Sequence, residues 1–281
     1  GDVVVKNKFL TGPVSEKLTV TTHANKKDYW IITHKWSSQA FYAYQLTENG
    51  VKTKPVISTI GAVHKEQVSE NKGESIGQIK VSPDGMKLAS AICYLPNNAV
   101  ELFDFNNSTG EITNVVNIPT SGYAYGVEFS PDNSKLYVSF LKGTVGVIQY
   151  DLSSPDIFDS GVVLSQLQDG KINGALQLAP NGKIYVAKTG RYIDVISNPN
   201  KKGKDCQYNI GEVNLGDRFC VYGLPAITPI NGAPASKIIP KTEEVSITTD
   251  PVEKPIKPRM TKEKLSLGPV LSFRGTSDEG E

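Results

Sequence analysis

The sequence predicts an all-β chain built from repeated antiparallel units, on three observations. A proline-centred turn motif recurs at nearly equal spacing, short β-rich segments bracket every copy, and no segment of ten or more residues carries helical periodicity. Val81-Ser82-Pro83-Asp84-Gly85-Met86-Lys87-Leu88-Ala89 recurs as Phe129-Ser130-Pro131-Asp132-Asn133-Ser134-Lys135-Leu136-Tyr137 and as Leu178-Ala179-Pro180-Asn181-Gly182-Lys183-Ile184-Tyr185-Val186. The prolines stand 48 and 49 residues apart, and a degenerate copy, Ile227-Thr228-Pro229-Ile230-Asn231-Gly232, follows 49 residues later. Proline presets φ at the first turn position, and Asp or Asn followed by Gly or Asn tolerates the left-handed conformation that closes the turn.

The first unit is the least regular. Leu18–Thr21 and Tyr29–Thr33 flank the turn Ala24–Lys27, Ala40–Leu46 supplies a third strand, and Thr47–Gly50 turns the chain toward Val56–Ile60. In the second unit Ile79–Val81 and Lys87–Ile92 form the hairpin, followed by Val100–Phe105 and Ile112–Ile118. The third runs Val127–Phe129, Lys135–Phe140, Val145–Leu152 and Val162–Leu167; the fourth begins Leu176–Leu178, Ile184–Lys188 and Ile193–Ile196. Four strands in roughly 48 residues is the signature of a β-propeller blade, so the fold class expected is an all-β propeller of four-stranded antiparallel blades.

About four blades fit between Thr19 and Val213. Tyr222–Asn231 reads as the first strand of another, and Val3–Leu10 as the last strand of a blade whose earlier strands are missing. These ends do not complete a ring, and Gly1 rather than Met begins the chain, so the expectation is a fragment whose N-terminal blades lie upstream. The propeller is assigned to residues 1–231. From Gly232 to Glu281 the composition changes to six prolines, one aromatic, eight basic and eight acidic residues. That mixture cannot bury enough apolar surface to offset chain entropy and reads as an extended linker or tail. Its one apolar stretch, Leu265–Phe273, is either linker or a short docking strand.

With 38% hydrophobic residues the chain can build a core, and a net charge of +1 gives no basis for nucleic-acid binding. No apolar run reaches the roughly 18 residues needed to cross a bilayer as a helix. Three cysteines are too few for a disulfide scaffold. Cys93 sits in a strand-like run and reads as a buried thiol. Cys206 and Cys220 are the disulfide candidates: in an exported protein a bridge would close about 15 residues and contribute roughly 3 kcal/mol. In a reducing compartment both would stay thiols.

Several stretches resemble a propeller module of large secreted Bacteroidota proteins, of the type IX secretion, type B sorting domain or gliding-motility-associated class. They include Pro13-Val14-Ser15-Glu16-Lys17-Leu18, His23-Ala24-Asn25-Lys26-Lys27-Asp28-Tyr29-Trp30, Glu101-Leu102-Phe103-Asp104-Phe105, Tyr125-Gly126-Val127-Glu128-Phe129-Ser130-Pro131 and Tyr222-Gly223-Leu224-Pro225. The similarity covers roughly Gly1–Ile230; after Leu224-Pro225 the chain departs from the pattern, and no sorting domain is visible. The resemblance implies an exported, surface-attached protein with a non-catalytic propeller and supplies no catalytic residues.

The residues offer few chemical motifs. No G-x-S-x-G elbow, H-E-x-x-H helix, phosphate loop or cofactor fingerprint occurs. His23 and His34, eleven residues apart with Asp28 nearby, read as turn and strand residues rather than metal ligands, and His64 as part of a surface loop spanning Gly61–Gly77. Ligand-facing positions follow from the repeat: the residue three before each turn proline is Lys80, Glu128 or Gln177, on a first strand facing the channel, with Gln78 beside them. They line either a solvated wall or a ligand pocket. Trp30 and Phe41 alternate with apolar neighbours and read as core, whereas Trp36, in a loop, is the better contact residue.

The function expected is a binding or scaffold module that presents loops to protein or glycan partners at the cell surface, without cofactor. Two alternatives stand: a propeller hydrolase of lactonase type with its site at the channel mouth, and a subunit of an outer-membrane secretion or motility assembly reached through the tail.

Overall fold

The structure is a computed structural model and describes residues 7, 9–65, 74–93, 98–167 and 171–225. The fourth turn copy, the tail from Gly232 and Leu265–Phe273 lie outside the described residues, as does most of Val3–Leu10. Within them the chain is all-β, apart from one short 3-10 turn, and forms four antiparallel blades.

Blade 1 comprises β1 (Val14–Thr22), β2 (Tyr29–Lys35) and β3 (Ala40–Thr47), with the two-residue β4 (Gly50–Val51) and then β5 (Val56–Thr59) both pairing with β3. Blade 2 is β6 (Ile79–Val81), β7 (Lys87–Ile92), β8 (Ala99–Asn106) and β9 (Glu111–Pro119). Blade 3 is β10 (Ala124–Phe129), β11 (Lys135–Phe140), β12 (Val145–Asp151) and β13 (Val162–Gln166). Blade 4 is β14 (Asn173–Leu178), β15 (Ile184–Lys188), β16 (Tyr192–Ile196) and, after the 3-10 turn Gly203–Cys206, β17 (Tyr208–Asn214).

The repeated turns fold as their composition dictates. Gly85, Asn133 and Gly182 hold the left-handed position at φ 74°, 63° and 75°. In blade 3, Ser130 Oγ donates to Asp132 Oδ1 at 2.7 Å and accepts from the Lys135 amide at 2.9 Å, and Ser82 makes the same pair of bonds in blade 2. Blade 4 carries Ala179 at that position and still closes the turn through Gly182 N–H to Ala179 C=O at 2.9 Å. Ser130→Ala is therefore expected to leave the fold intact and to cost about 1 kcal/mol in urea unfolding, the typical value of one such bond.

The cores lie between successive blades, because each blade turns an apolar face to its neighbour. Trp30, Ile32, Phe41 and Ala43 of blade 1 pack on Ile79, Val81, Leu88 and Phe103 of blade 2. Ala89, Ala91, Val100 and Leu102 of blade 2 meet Val127, Phe129, Leu136 and Val138 of blade 3. Tyr137 and Val147 of blade 3 meet Leu176, Ile184 and Val186 of blade 4. Beyond blade 4, Leu224 packs on a cluster with Ala175, Ala187 and Cys220, and Tyr222 C=O accepts the Ala175 amide at 2.7 Å. The Gln78 amide donates to Tyr125 C=O at the same 2.7 Å, so Tyr222 repeats at blade 4 the contact by which blade 3 begins against blade 2.

Candidate functional site: the axial wall and the joint of blades 1 and 2

The first strands β1, β6, β10 and β14 converge on a cavity of about 360 Å³, which Gly223 and Leu224 also line. A first strand is an edge strand, so its N–H groups toward the axis have no ladder partner. Side chains supply the acceptors. Gln78 Oε1 accepts from Val127 N–H of blade 3 at 3.3 Å and from Leu176 N–H of blade 4 at 2.9 Å. The reach across a blade is possible because Gly126 and Ala175 occupy the positions equivalent to Gln78 in the next two repeats. A Cβ on Gly126 would stand 2.5 Å from Gly174 O.

Glu128 and Lys80 extend this bracing. Glu128 Oε2 accepts from Leu178 N–H at 2.9 Å and lies 3.2 Å from Lys80 Nζ, while Oε1 accepts from Phe129 N–H at 3.1 Å. Lys80 Nζ also donates to Gln177 Oε1 at 2.8 Å, and Gln177 Nε2 donates to Leu178 C=O at 2.7 Å. Gln78, Lys80, Glu128 and Gln177 thus meet on one wall, where they tie blades 2, 3 and 4 together. Sequence periodicity placed them on the axis; it carried no information on which backbone amides they would cap. The same cavity also takes in Glu16 and Lys17 of β1, which the repeat arithmetic missed because the first unit lacks the proline turn.

Trp36 does not join that wall. It sits in the turn between β2 and β3, half-buried, and its backbone amide donates to Pro13 C=O at 3.1 Å. Trp30 and Phe41 are core residues. Cys93, Cys206 and Cys220 are all free and buried. No Cys206–Cys220 bridge forms, because the two bracket blade 4: Cys206 C=O accepts from Asn198 beyond the end of β16, whereas Cys220 pairs with Gly190 before its start. The length of β16 separates them, against the roughly 7 Å limit for a disulfide.

The histidines depart most from expectation. His23 stacks on Trp30 and its Nδ1 accepts the Asn25 amide at 3.0 Å, as a turn residue should. His34 lies at the other end of β2 and pairs not with His23 but with His64, ring centroids 3.8 Å apart. His64 is fully buried instead of lying in a surface loop. Its connector folds between blades 1 and 2 because Ser37 N–H donates to His64 C=O, His64 N–H donates to Ser38 C=O, and Glu101 Oε1 accepts from Ala62 N–H at 2.8 Å. The only signal in the sequence for this burial was a histidine in a polar stretch, which points the other way.

Burial, and for His34 also the neighbouring His64, pushes both imidazoles down to about 2, so both are neutral. The 3.8 Å approach of His64 Nε2 to Glu101 Oε2 is consequently no ion pair, and it is too long for a hydrogen bond. Glu101 is pushed up to about 6 by burial, opposed by the Ala62 amide and the charge of Lys17. Lys17, also buried, falls to about 7 by desolvation, with Glu16 the largest opposing charge; its Nζ donates to Glu74 C=O at 2.8 Å and Ile76 C=O at 3.0 Å. Among the described residues no three His, Cys, Asp or Glu side chains are arranged to hold a metal ion. No helix among them is long and apolar enough to cross a membrane.

No family model matches the sequence, and no curated protein matches it. Solved structures do. A putative 6-phosphogluconolactonase from Bacteroides fragilis aligns at 14% identity over 76% of this chain and 60% of its own, with a TM-score of 0.47. The periplasmic gluconolactonase of Pseudomonas aeruginosa aligns at 15% over 70% of this chain and 55% of its own, TM-score 0.44. The β-propeller domain of Cps50 from Myceliophteria thermophila aligns at 14% over 65% and 51%, TM-score 0.42. The chain spans between half and three-fifths of the length of these three structures, and at such identities the likeness is one of fold.

Proposed function

We propose that this chain is a non-catalytic binding module, one that takes a protein or glycan partner at its axial cavity and loops. The observation that carries the reading is the occupation of the axial wall. Lys80, Glu128 and Gln78 are committed to one another and to backbone amides of neighbouring blades, so the acid, base and amide groups a reaction would use already brace the fold. What they leave is a cavity of about 360 Å³ with charge-balanced walls, within the range of small-ligand sites. The sequence resemblance described above supports an exported, surface-attached setting of the type IX secretion class, and fractionation of the producing cells tests that part directly.

A panel of lactones and esters offered to the protein is expected to show no turnover above buffer. A glycan array and a surface-protein pull-down are expected to yield a saturable partner, with binding weakened at least fivefold by Leu18→Glu, which places a charge on the rim of the cavity. Lactone turnover abolished by Glu128→Gln would overturn the binding reading in favour of a hydrolase.

A further inference from the structure

Six of the ten buried side-chain polar atoms without a hydrogen-bond partner among the described residues lie at one place, the joint of blades 1 and 2. They are both ring nitrogens of His34 and of His64, Ser90 Oγ and Glu101 Oε2. Orphaned polar atoms at such density are costly, because each forfeits its water without gaining a partner. His64 stands at the centre of the group: its ring stacks on His34 of blade 1 and its Nε2 faces Glu101 of blade 2. Ser90 is the cross-strand neighbour of Glu101.

We propose that His64 and Glu101 share one added proton at mildly acidic pH, and that this proton latches the connector at residues 61–65 between blades 1 and 2. Solvent supplies the proton, which forms an O–H bond at Glu101 Oε2 and is donated to Nε2 of the neutral imidazole. A contraction from 3.8 Å to ordinary hydrogen-bond distance then satisfies two orphaned atoms with one bond. Whether the proton resides on oxygen or nitrogen, the pair holds one more proton than it does near neutrality, and the transition belongs to the pair.

The surroundings favour a titration in this range. Glu101 is buried, so its charged form is penalised, and Oε1 keeps its bond to Ala62 in either state. Of the other charged and titratable groups at the joint, Lys17 of β1 acts on both members of the pair and His34 of β2 stacks on His64, while Glu16, Glu74 and Cys93 act on Lys17. Lys17 opposes protonation of the pair, and Glu16 and Glu74 offset Lys17. Protons have a route, since an open pocket bounded by Gly61, Ala62, Ile92, Asn98 and Asn117 lies over Glu101.

The test compares urea unfolding of the wild-type protein with Glu101→Gln between about pH 7.5 and pH 5. A carboxyl whose folded value lies above its unfolded value stabilises the fold as pH falls through that folded value. The wild-type folding constant is therefore expected to rise about tenfold relative to the glutamine variant, whose amide donates to His64 at every pH. His64→Leu leaves the carboxyl buried but takes away the acceptor of its proton, so the rise is expected to be smaller and to fall at lower pH. Infrared difference spectra of the wild type should show a buried protonated carboxyl band that grows on acidification and is missing from Glu101→Gln, a readout independent of variant stability. Parallel pH profiles for wild type and Glu101→Gln, or the absence of that band, would overturn the proposal.

Discussion

Glu128→Ala is expected to lower the unfolding free energy by about 3 kcal/mol, near the lower bound for stripping one partner from a buried ion pair. The loss has several parts. Lys80 is left without its counter-charge while still largely enclosed, and the Leu178 and Phe129 amides lose their acceptor at an edge where no ladder replaces it. Glu128→Gln keeps a carbonyl acceptor for one of those amides and should lose about half as much. Adding Lys80→Met to Glu128→Ala should recover more than 1 kcal/mol, because the second change removes an uncompensated charge. Urea unfolding of the four proteins decides it. A loss under 1 kcal/mol for Glu128→Ala would mean that the axial carboxylate is free for acid–base chemistry, and the non-catalytic reading would lose its main support.

This result also bears on what the sequence could say. Equal proline spacing placed Lys80, Glu128 and Gln177 at one level of the channel, because a repeat transmits register and strand alternation transmits facing. Neither reports the inter-blade distance, which decides whether such residues stand apart in water or touch. They touch, partly because Gly126 and Ala175 admit the Gln78 side chain, an inference that needs three blades in hand at once. The buried joint was beyond the sequence for a different reason. His64 lies in a connector with no periodicity, and its burial depends on tertiary contacts with Ser37, Ser38 and His34 that no local pattern encodes. Cys206 and Cys220 erred in the opposite direction: closeness in sequence suggested a bridge, whereas β16 runs between them.

Lys17 should give the protein a second, alkaline dependence that a single substitution removes. Its side chain is about 1% exposed and, among the described residues, its Nζ bonds to backbone carbonyls only, so burial holds its amine near 7, against 10.5 for the ordinary group. The folded value is the lower one. Between about pH 7 and pH 10.5 the unfolded chain therefore keeps a proton that the folded chain has released, and stability rises with pH across that window. Below it both states are charged, and the folded state bears the full cost of a buried ammonium. From pH 7 to pH 9 the rise is on the order of 2 kcal/mol. Lys17→Met preserves the length and apolar stem of the side chain and forgoes the bonds to Glu74 and Ile76, a loss of about 1–2 kcal/mol that does not vary with pH. The difference in unfolding free energy between wild type and variant should accordingly climb through this interval and flatten above about pH 10. The same variant removes a positive charge that opposes protonation of Glu101, so the acid-side transition should move to higher pH. If the two curves run parallel from pH 6 to pH 10, the amine is charged in the folded protein and the joint of blades 1 and 2 is wetter than its packing implies.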